Sequence, residues 1–517
     1  MGATKKAEAS DVKKLTIKSN KGGASVDLSS GLVRLEYRES ILQETLEVSF
    51  VVVETGNSVS GKSPCSDGGG DGGSALKGII EGLPVVGAEE IELSMEDNNG
   101  NAINVKVNVN KASAGTGDNK KNVVAFEATS KEYYVNESVR VVKRYDGTIS
   151  DSINKILKEV IKTDKKLNIE ETLNKYNFIG NSRKPFYTIL WLAKKSIPKG
   201  ENKSGATAGY FFFETYQGFV YKSIDTLLST KSNKPKRLLY NNSTDIPPGY
   251  DGKIIDYLVA GGDGGSPGGL DLQSKLQMGA YGTKQRSFNP YNVEYKDVDK
   301  EPEKKKLETA GKELAGDCLP DWLKGLPTRE FASVLPIGVL PEGKDAKEQL
   351  KKSKEPTDDH AQSITQAPMR YNQLFSSKVE ITIPGDFSYK AGDLVDCDFP
   401  EQSSKTEQAV SPHLSGVYLI CDICHLIEPK KTYTKMNLIR DSNGKKSSES
   451  QKSTGSTKPI NPGSIGSPGN PTTVQSSKNS LDDELDINKN PITKAERSAA
   501  KRGDIINNSG QVIGKIR

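Results

Sequence analysis

FSSKVEITIPGDFSYKAGDLVDCDFPE, residues 375–401, and SGVYLICDICHLIEPKKTYTKMNLIRD, residues 415–441, decide the fold of this chain. Val379, Ile381 and Ile383 alternate with polar residues, the period of a half-buried strand. Pro384-Gly385-Asp386 and Ala391-Gly392-Asp393 are turn signals. Leu394 and Val395 start a second strand, Gly416 to Ile423 a third, and Thr432, Thr434, Met436 and Leu438 alternate in a fourth. Tight turns and the lack of crossover helices predict an antiparallel sheet closed as a small barrel. No residue in it has the pattern of a catalytic group.

N-terminal to this sheet, residues 132–232 change character. Ile153, Ile156, Leu157, Val160 and Ile161 form a helical stripe over 149–161, with Ser150 or Ser152 available as its cap. A second helix is predicted over 185–195. Pro185 suits its first turn, where the missing N–H has no partner to lose; Phe186, Ile189, Leu190 and Ala193 face inward and Trp191 flanks them. Tyr210 to Glu214 and Phe219 to Ile224, joined through Tyr216-Gln217-Gly218, read as an aromatic hairpin packed on these helices. This hairpin offers rings for stacking on bases or sugars, but core packing is the reading adopted.

Further out, residues 1–14 are a polar arm and 15–131 a first β domain. Its strands cover 15–18, 32–39 and 45–54, with Leu46, Val48, Phe50 and Val52 on one face. Ile91–Met95 and Ile103–Val109 form a hairpin through Asp97-Asn98-Asn99-Gly100, and 123–129 closes the domain. Residues 55–78, rich in Gly, Ser and Asp, are expected to be a mobile loop. The second β domain covers 233–440, interrupted over 296–363 by a charged insertion that includes Trp322. Residues 441–517 are expected to be a flexible tail, with a helix at 492–501 and a short strand at 512–516. The fold class is therefore β-rich α+β: two antiparallel β-barrel domains with an α+β module between them.

Composition narrows the function. At 517 residues, 34% hydrophobic, with mean hydropathy −0.58, part of the chain lies outside any packed core. Lys+Arg of 72 against Asp+Glu of 67 is nearly balanced and interspersed, unlike the basic stripe of a nucleic-acid binder. Five scattered cysteines fit no disulfide framework. The first residues, MGATKKAEAS, lack the apolar core of a signal peptide, and no apolar run is long enough to span a membrane.

Three motifs invite a chemical reading. Gly56 to Ser63 matches the phosphate-loop pattern G-x-x-x-x-G-K-S, but no helix follows to aim its N–H groups at phosphate. Cys421-Asp422-Ile423-Cys424-His425 matches the haem-attachment pattern, but lies in a predicted strand, where positions i and i+3 face opposite sides. A zinc site from Cys397, Cys421, Cys424 and His425 is disfavoured as well, because Cys397 belongs to a neighbouring strand. Paired carboxylates at Asp358-Asp359 and Asp482-Asp483-Glu484 sit in polar stretches with no apolar pocket to raise a pKa. No catalytic, cofactor-binding or metal-binding residue is therefore assigned, and no cofactor is expected.

The order "strand, PGD, AGD-L-V, SGVYLI, H-L-I, Y-T-K-x-x-L-I-R-D" resembles the baseplate hub proteins of contractile-tailed phages, related to tail late-control proteins and to the hub parts of type VI secretion spikes. A second stretch, N-F-I-G-N-S-R-K-P-F over 177–186, followed by L-W-L-A and F-F-E-T-x-x-G-F-x-Y-x-S-I-D-x-L as far as Leu227, is similar to that family's middle module. The phrase L-x-x-x-L-x-M-G-A-Y over 272–281 also fits. The resemblance covers about residues 15–440. It implies a structural, non-enzymatic virion protein of the tail baseplate, made in the host cytoplasm. Three chains would present six barrels beneath the sixfold tail tube and seat the trimeric central spike, with a lumen passing the tape measure and DNA. Implied partners are further copies of itself, the tail tube, the spike, and the tape measure and baseplate wedge proteins. The rival readings are a hub of a non-phage contractile injection system and a hub-fused tail hydrolase.

Overall fold

The computed structural model describes residues 8–20, 25–54, 59–60, 76–79, 83, 85–118, 121–200, 208–241, 246–260, 272–289, 293–300, 308–314, 316, 319–323, 326–334, 345–348, 366–401, 410–444, 504–506 and 512–515. The chain divides into two units, residues 1–459 and 460–517. In the second, Asp504–Ile506 pairs antiparallel with Val512–Lys515, which includes the strand expected near the C-terminus. The helix expected at 492–501 and most of the 55–78 loop lie outside the described residues; within that loop Val59–Ser60 pairs with Leu76–Lys77.

The first part of the large unit is an antiparallel β sheet. Its strands are β1 (Asp11–Lys18), β2 (Ser25–Asp27), β3 (Leu32–Ser40), β4 (Glu47–Glu54), β5 (Glu90–Glu96), β6 (Ala102–Asp118) and β7 (Lys121–Thr129). In β4 the alternation holds: Val48, Phe50 and Val52 are buried, while Ser49, Val51 and Val53 are only half-buried. The β5–β6 turn places Gly100 at φ +81°, a conformation that favours glycine. Hydrogen bonding follows the order β3-β4-β7-β6-β5-β1-β2.

The middle module comprises α1 (Lys131–Ser138), α2 (Ile149–Lys155), β8 (Leu167–Ile169), α3 (Pro185–Ala193), β9 (Tyr210–Thr215), β10 (Gly218–Ser223) and α4 (Ile224–Leu228). The stripe over 149–161 is not one regular helix: after α2 the chain continues as a π-helix over Ile156–Ile161, so Val160 turns partly outward. The α2 cap is Thr148, whose hydroxyl accepts from the Asp151 N–H, rather than Ser150 or Ser152. α1 went unread in the sequence because KEYYVNES carries no apolar stripe. In the β9–β10 hairpin, Tyr210, Phe212, Phe219 and Tyr221 face the module core. Phe211, Phe213 and Val220 face the core of the second β part. A hairpin buried on both faces reads as a continuous apolar run, which accounts for the YFFF sequence.

The second β part has β11 (Lys236–Tyr240), β12 (Gly252–Ile254), β13 (Asp256–Ala260), β14 (Ser377–Pro384), β15 (Leu394–Asp398), β16 (Gly416–Glu428) and β17 (Lys431–Arg440). All four strands expected over 375–440 form, but not as a simple meander: β15 pairs β16, β16 pairs β17, and β17 returns to β14. The expectation of purely antiparallel pairing is corrected. β11 runs parallel to β15, with Lys236 opposite Val395, and parallel to β12. Parallel neighbours need a long connection, and the 153 residues between Tyr240 and Leu394 supply it.

A helix over 366–374, unread in the sequence, precedes β14 and buries Ala367, Met369, Arg370 and Leu374. The charged excursion expected at 296–363 has a sheet of its own that starts earlier: Thr283–Asn289 pairs with Glu294–Lys300 and, in parallel, with Arg329–Val334. Trp322 is 76% exposed there.

Strand β16 joins the two β parts. Over Asp422–Ile427 it pairs antiparallel with β3, Ser40 opposite Asp422 and Leu35 opposite Ile427. One 14-stranded sheet therefore runs through both.

Candidate functional site at the junction of the three cores

Several buried charged side chains gather where the two β parts and the module meet. Glu39, on β3, continues the inward face of Leu35 and Tyr37. Its carboxylate accepts from the Tyr37 hydroxyl (2.7 Å), the Tyr216 N–H in the β9–β10 turn (2.6 Å) and the Ala391 N–H in the β14–β15 connection (3.0 Å). One side chain thus holds an element of each part. Burial pushes its carboxyl up to about 7, against the pull of these three donors.

Glu214, at the end of β9, does the same a few residues away. It accepts from the Leu46 N–H (3.3 Å), the Ser130 hydroxyl (2.6 Å) and the Lys165 ammonium (2.5 Å). Lys165 also bonds Glu132 at 2.8 Å. Burial raises Glu214, the more enclosed carboxylate; burial would raise Glu132 too, but Lys165 holds it below the usual range. These groups floor an open cleft of about 690 Å³ between β5–β6, α1 and the hairpin turn.

His425 lies in the β3–β16 seam, opposite Tyr37, fully buried and 4.9 Å from the Phe387 ring. Its Nδ1 lies 2.9 Å from the Thr434 hydroxyl. Burial lowers its pKa to about 3, so the imidazole is neutral in the fold. A histidine in the unfolded chain titrates near 6.5, so this group's contribution is complete above that pH and is lost as pH falls toward 3. Relative to wild type, a His425→Leu protein is expected to gain about 2 kcal/mol as pH falls from 6.5 to 5. Urea unfolding of both proteins across that range checks it, and parallel pH curves would refute it.

A third buried cluster ties the module to the second β part. The Arg370 guanidinium bonds Asp441 and Asp225, each at 3.1 Å, and donates to the Glu308 carbonyl at 3.0 Å. Asp441 accepts from the Ala310 N–H at 3.0 Å. Burial pushes Asp225 up to about 6 although Arg370 opposes it.

The motifs singled out in the sequence do not converge on chemistry. Cys421 packs in the second β core, while Cys424 lines an open groove of about 770 Å³ across the seam. Cys397 is buried beside Gly416 on β15, and burial holds its thiol well above the usual range. Among the described residues no cluster of three or more His, Cys, Asp or Glu is arranged to hold a metal. Most of the phosphate-loop match lies outside the described residues, as do Asp358-Asp359 and Asp482-Asp483-Glu484. Glu39, Glu214 and Arg370 were missed by the sequence reading. The available signal was a carboxylate extending an apolar strand face: Leu35, Tyr37, Glu39 and again Tyr210, Phe212, Glu214.

No protein-family model and no curated protein matches this sequence. Among solved structures the chain is similar to the tail protein from Neisseria meningitidis, at 10% identity over 83% of this chain and 96% of that one, with a TM-score of 0.45. It is also similar to the 43 kDa tail protein of prophage MuSo2 from Shewanella oneidensis, at 11% identity over 83% and 98%, with a TM-score of 0.44. A third is a component of the E. coli type VI secretion system, at 8% identity over 83% and 76%, with a TM-score of 0.37.

Proposed function

We propose that this chain is a structural baseplate hub of a contractile phage tail, acting as a trimeric symmetry adapter between a sixfold tail tube and a threefold central spike. The observation that carries the reading is the β3–β16 ladder, which sets two β parts side by side in one sheet. A chain built as two joined β parts is what a threefold assembly needs to offer six similar elements to a sixfold ring. The two sequence stretches that resemble hub proteins support the same reading.

In this reading 15–131 and 233–440 are the two tube-like barrels, with 132–232 between them. Closure of the second barrel is supported by the chain over 252–260. Its first half pairs with β11; at the bend, the Ile255 N–H donates to the Thr382 carbonyl (2.8 Å); its second half pairs with β14. The protein works through surfaces, without catalysis, and its place is the virion tail. Partners are the tube, the spike, the tape measure and the baseplate wedge.

Light scattering on the purified protein, alone and with its candidate spike, tests this. The expected result is a trimer, or a monomer that becomes a 3:3 complex with the spike. A monomer indifferent to the spike would overturn the adapter role, and lysis in a peptidoglycan clearing assay would overturn the non-enzymatic one.

A further inference from the structure

The loop Gly180-Asn181-Ser182-Arg183, inside the longest family-like motif, is more tightly built than a connection requires. The Gly180 N–H donates to the Lys143 carbonyl (2.9 Å) and the Ser182 N–H to the Val141 carbonyl (3.0 Å). The Arg183 carbonyl in turn accepts from the Val141 N–H (3.0 Å). Ser182 takes φ +58°, and a Cβ on Gly180 would sit 2.4 Å from the Val141 carbonyl oxygen. The loop is therefore held in one shape.

What it presents has the composition of a contact surface. A cleft of about 120 Å³ opens there, lined among others by Phe178, Ile179, Asn181, Arg183, Tyr187 and Trp191. Ile179 is 58% exposed and Tyr187 54%, and Val142, on the adjoining stretch two residues before Arg144, is 60% exposed. Arg144 pairs with Ile179 in a short ladder whose next pair, Tyr145 and Phe178, is buried in the module core. Tyr, Trp and Arg, which line this mixed polar and apolar recess, are the residue types that dominate binding energy at protein interfaces.

The charge around the recess is unbalanced. Lys143 pairs with Glu159, Arg144 with Asp146 and Lys184 with Glu137. Arg183 instead lies 5.5 Å over the Tyr187 ring, and Arg140 donates only to the Glu137 and Val139 carbonyls; neither has a carboxylate partner among the described residues. The Arg183 guanidinium is thus left at the recess without a carboxylate. An arginine fork suits a carboxylate, and the exposed Ile179 and Tyr187 side chains at the recess suit an aliphatic one.

We propose that this face of the module is a docking surface for a partner protein segment in which carboxylates flank an aliphatic residue. The inference does not depend on the hub reading.

The test uses the full chain with Trp322→Phe, which leaves Trp191 as the sole tryptophan of the two in the sequence. A capped peptide alternating aspartate and leucine is titrated while Trp191 emission is followed, beside a lysine–leucine control. The expected result is a saturable shift with the aspartate peptide alone, its midpoint rising about tenfold or more between 50 and 500 mM salt, as screening of exposed charge requires. Arg183→Glu and Ile179→Asp should each weaken binding at least about tenfold, the loss of one hot-spot contact. Both positions are exposed, so the fold should be intact, which the thermal midpoint confirms. No saturable response, an equal response to the lysine peptide, or an unchanged response in Arg183→Glu overturns the proposal. So does sedimentation showing self-association that Ile179→Asp abolishes, which would assign the surface to a second copy.

Discussion

Replacing Arg370 by alanine is expected to cost about 3–5 kcal/mol at neutral pH, the usual penalty for breaking a buried ion pair and leaving its partner charged. Two carboxylates would be stranded, Asp225 and Asp441, along with the Glu308 carbonyl. The defect should also depend on pH in a definite direction. Asp225 already has its folded pKa raised to about 6 by burial, against about 3.9 in an unfolded chain. Without the guanidinium its folded value rises further. A raised acid is tolerated when protonated and penalised as pH climbs from the unfolded value through the folded one. The Arg370→Ala deficit should therefore be smaller at pH 5 than at pH 7.5. Urea unfolding at both values measures it. Arg370→Lys should recover only part of the loss, because an ammonium cannot bond both carboxylates in the plane of a fork. An Arg370→Ala midpoint equal to that of wild type at pH 7.5 would show that the cluster contributes nothing to stability.

Glu39→Ala is the second large effect, also about 3–5 kcal/mol, since it orphans the buried Tyr37 and Ala391 donors and the half-buried Tyr216 N–H at roughly 1–3 kcal/mol each. Its signature is local. The Tyr216 and Ala391 amides lose their acceptor, so their hydrogen exchange should accelerate more than that of amides inside β4 or β17. Glu39→Gln separates charge from shape. With a folded pKa near 7 and an unfolded value near 4.3, the native state holds the extra proton between those limits. Wild-type stability from this group is greatest below that window and falls as pH rises through it. Relative to wild type, Glu39→Gln should gain about 3 kcal/mol between pH 4.5 and 7.5. A constant difference across that range would show that the carboxylate does not titrate in the fold.

Glu39 and His425 carry opposite pH slopes at one seam. Between about pH 4.5 and 6.5 unfolding releases a proton at Glu39 and takes one up at His425, so their effects largely cancel. The wild-type junction should look indifferent to pH in that interval, while either single variant should not.

Much of the architecture was legible because strand alternation is a local signal. Val379, Ile381 and Ile383 face one core, as do Val48, Phe50 and Val52, and both predicted strands form. The aromatic hairpin was legible as well, and burial of every residue but Lys222 in its two strands explains why it lacked alternation. Pairing partners were not legible. That β16 would lie against β3, nearly 400 residues earlier, or that β11 would run parallel to β15, is decided by side chains far apart in sequence. The 366–374 helix had a weak signal in Ala367, Arg370 and Leu374, but an arginine on a buried face reads as a break in the stripe unless its carboxylates are known. The candidate site was hidden for the same reason: Glu39 becomes informative only when Tyr216 and Ala391 arrive beside it.

The β3–β16 seam has a mechanical consequence. Its six facing pairs, Leu35 with Ile427 through Ser40 with Asp422, lie side by side along one strand direction. A force along the strands loads the hydrogen bonds in shear, so they must fail together, whereas a force across the strands opens them one at a time like a zipper. β16 is also gripped by β17 on its other side for most of its length. Tension reaching one β part along that axis is therefore transmitted to the other through a stiff shared beam, and the two would yield as one body rather than swing about a hinge.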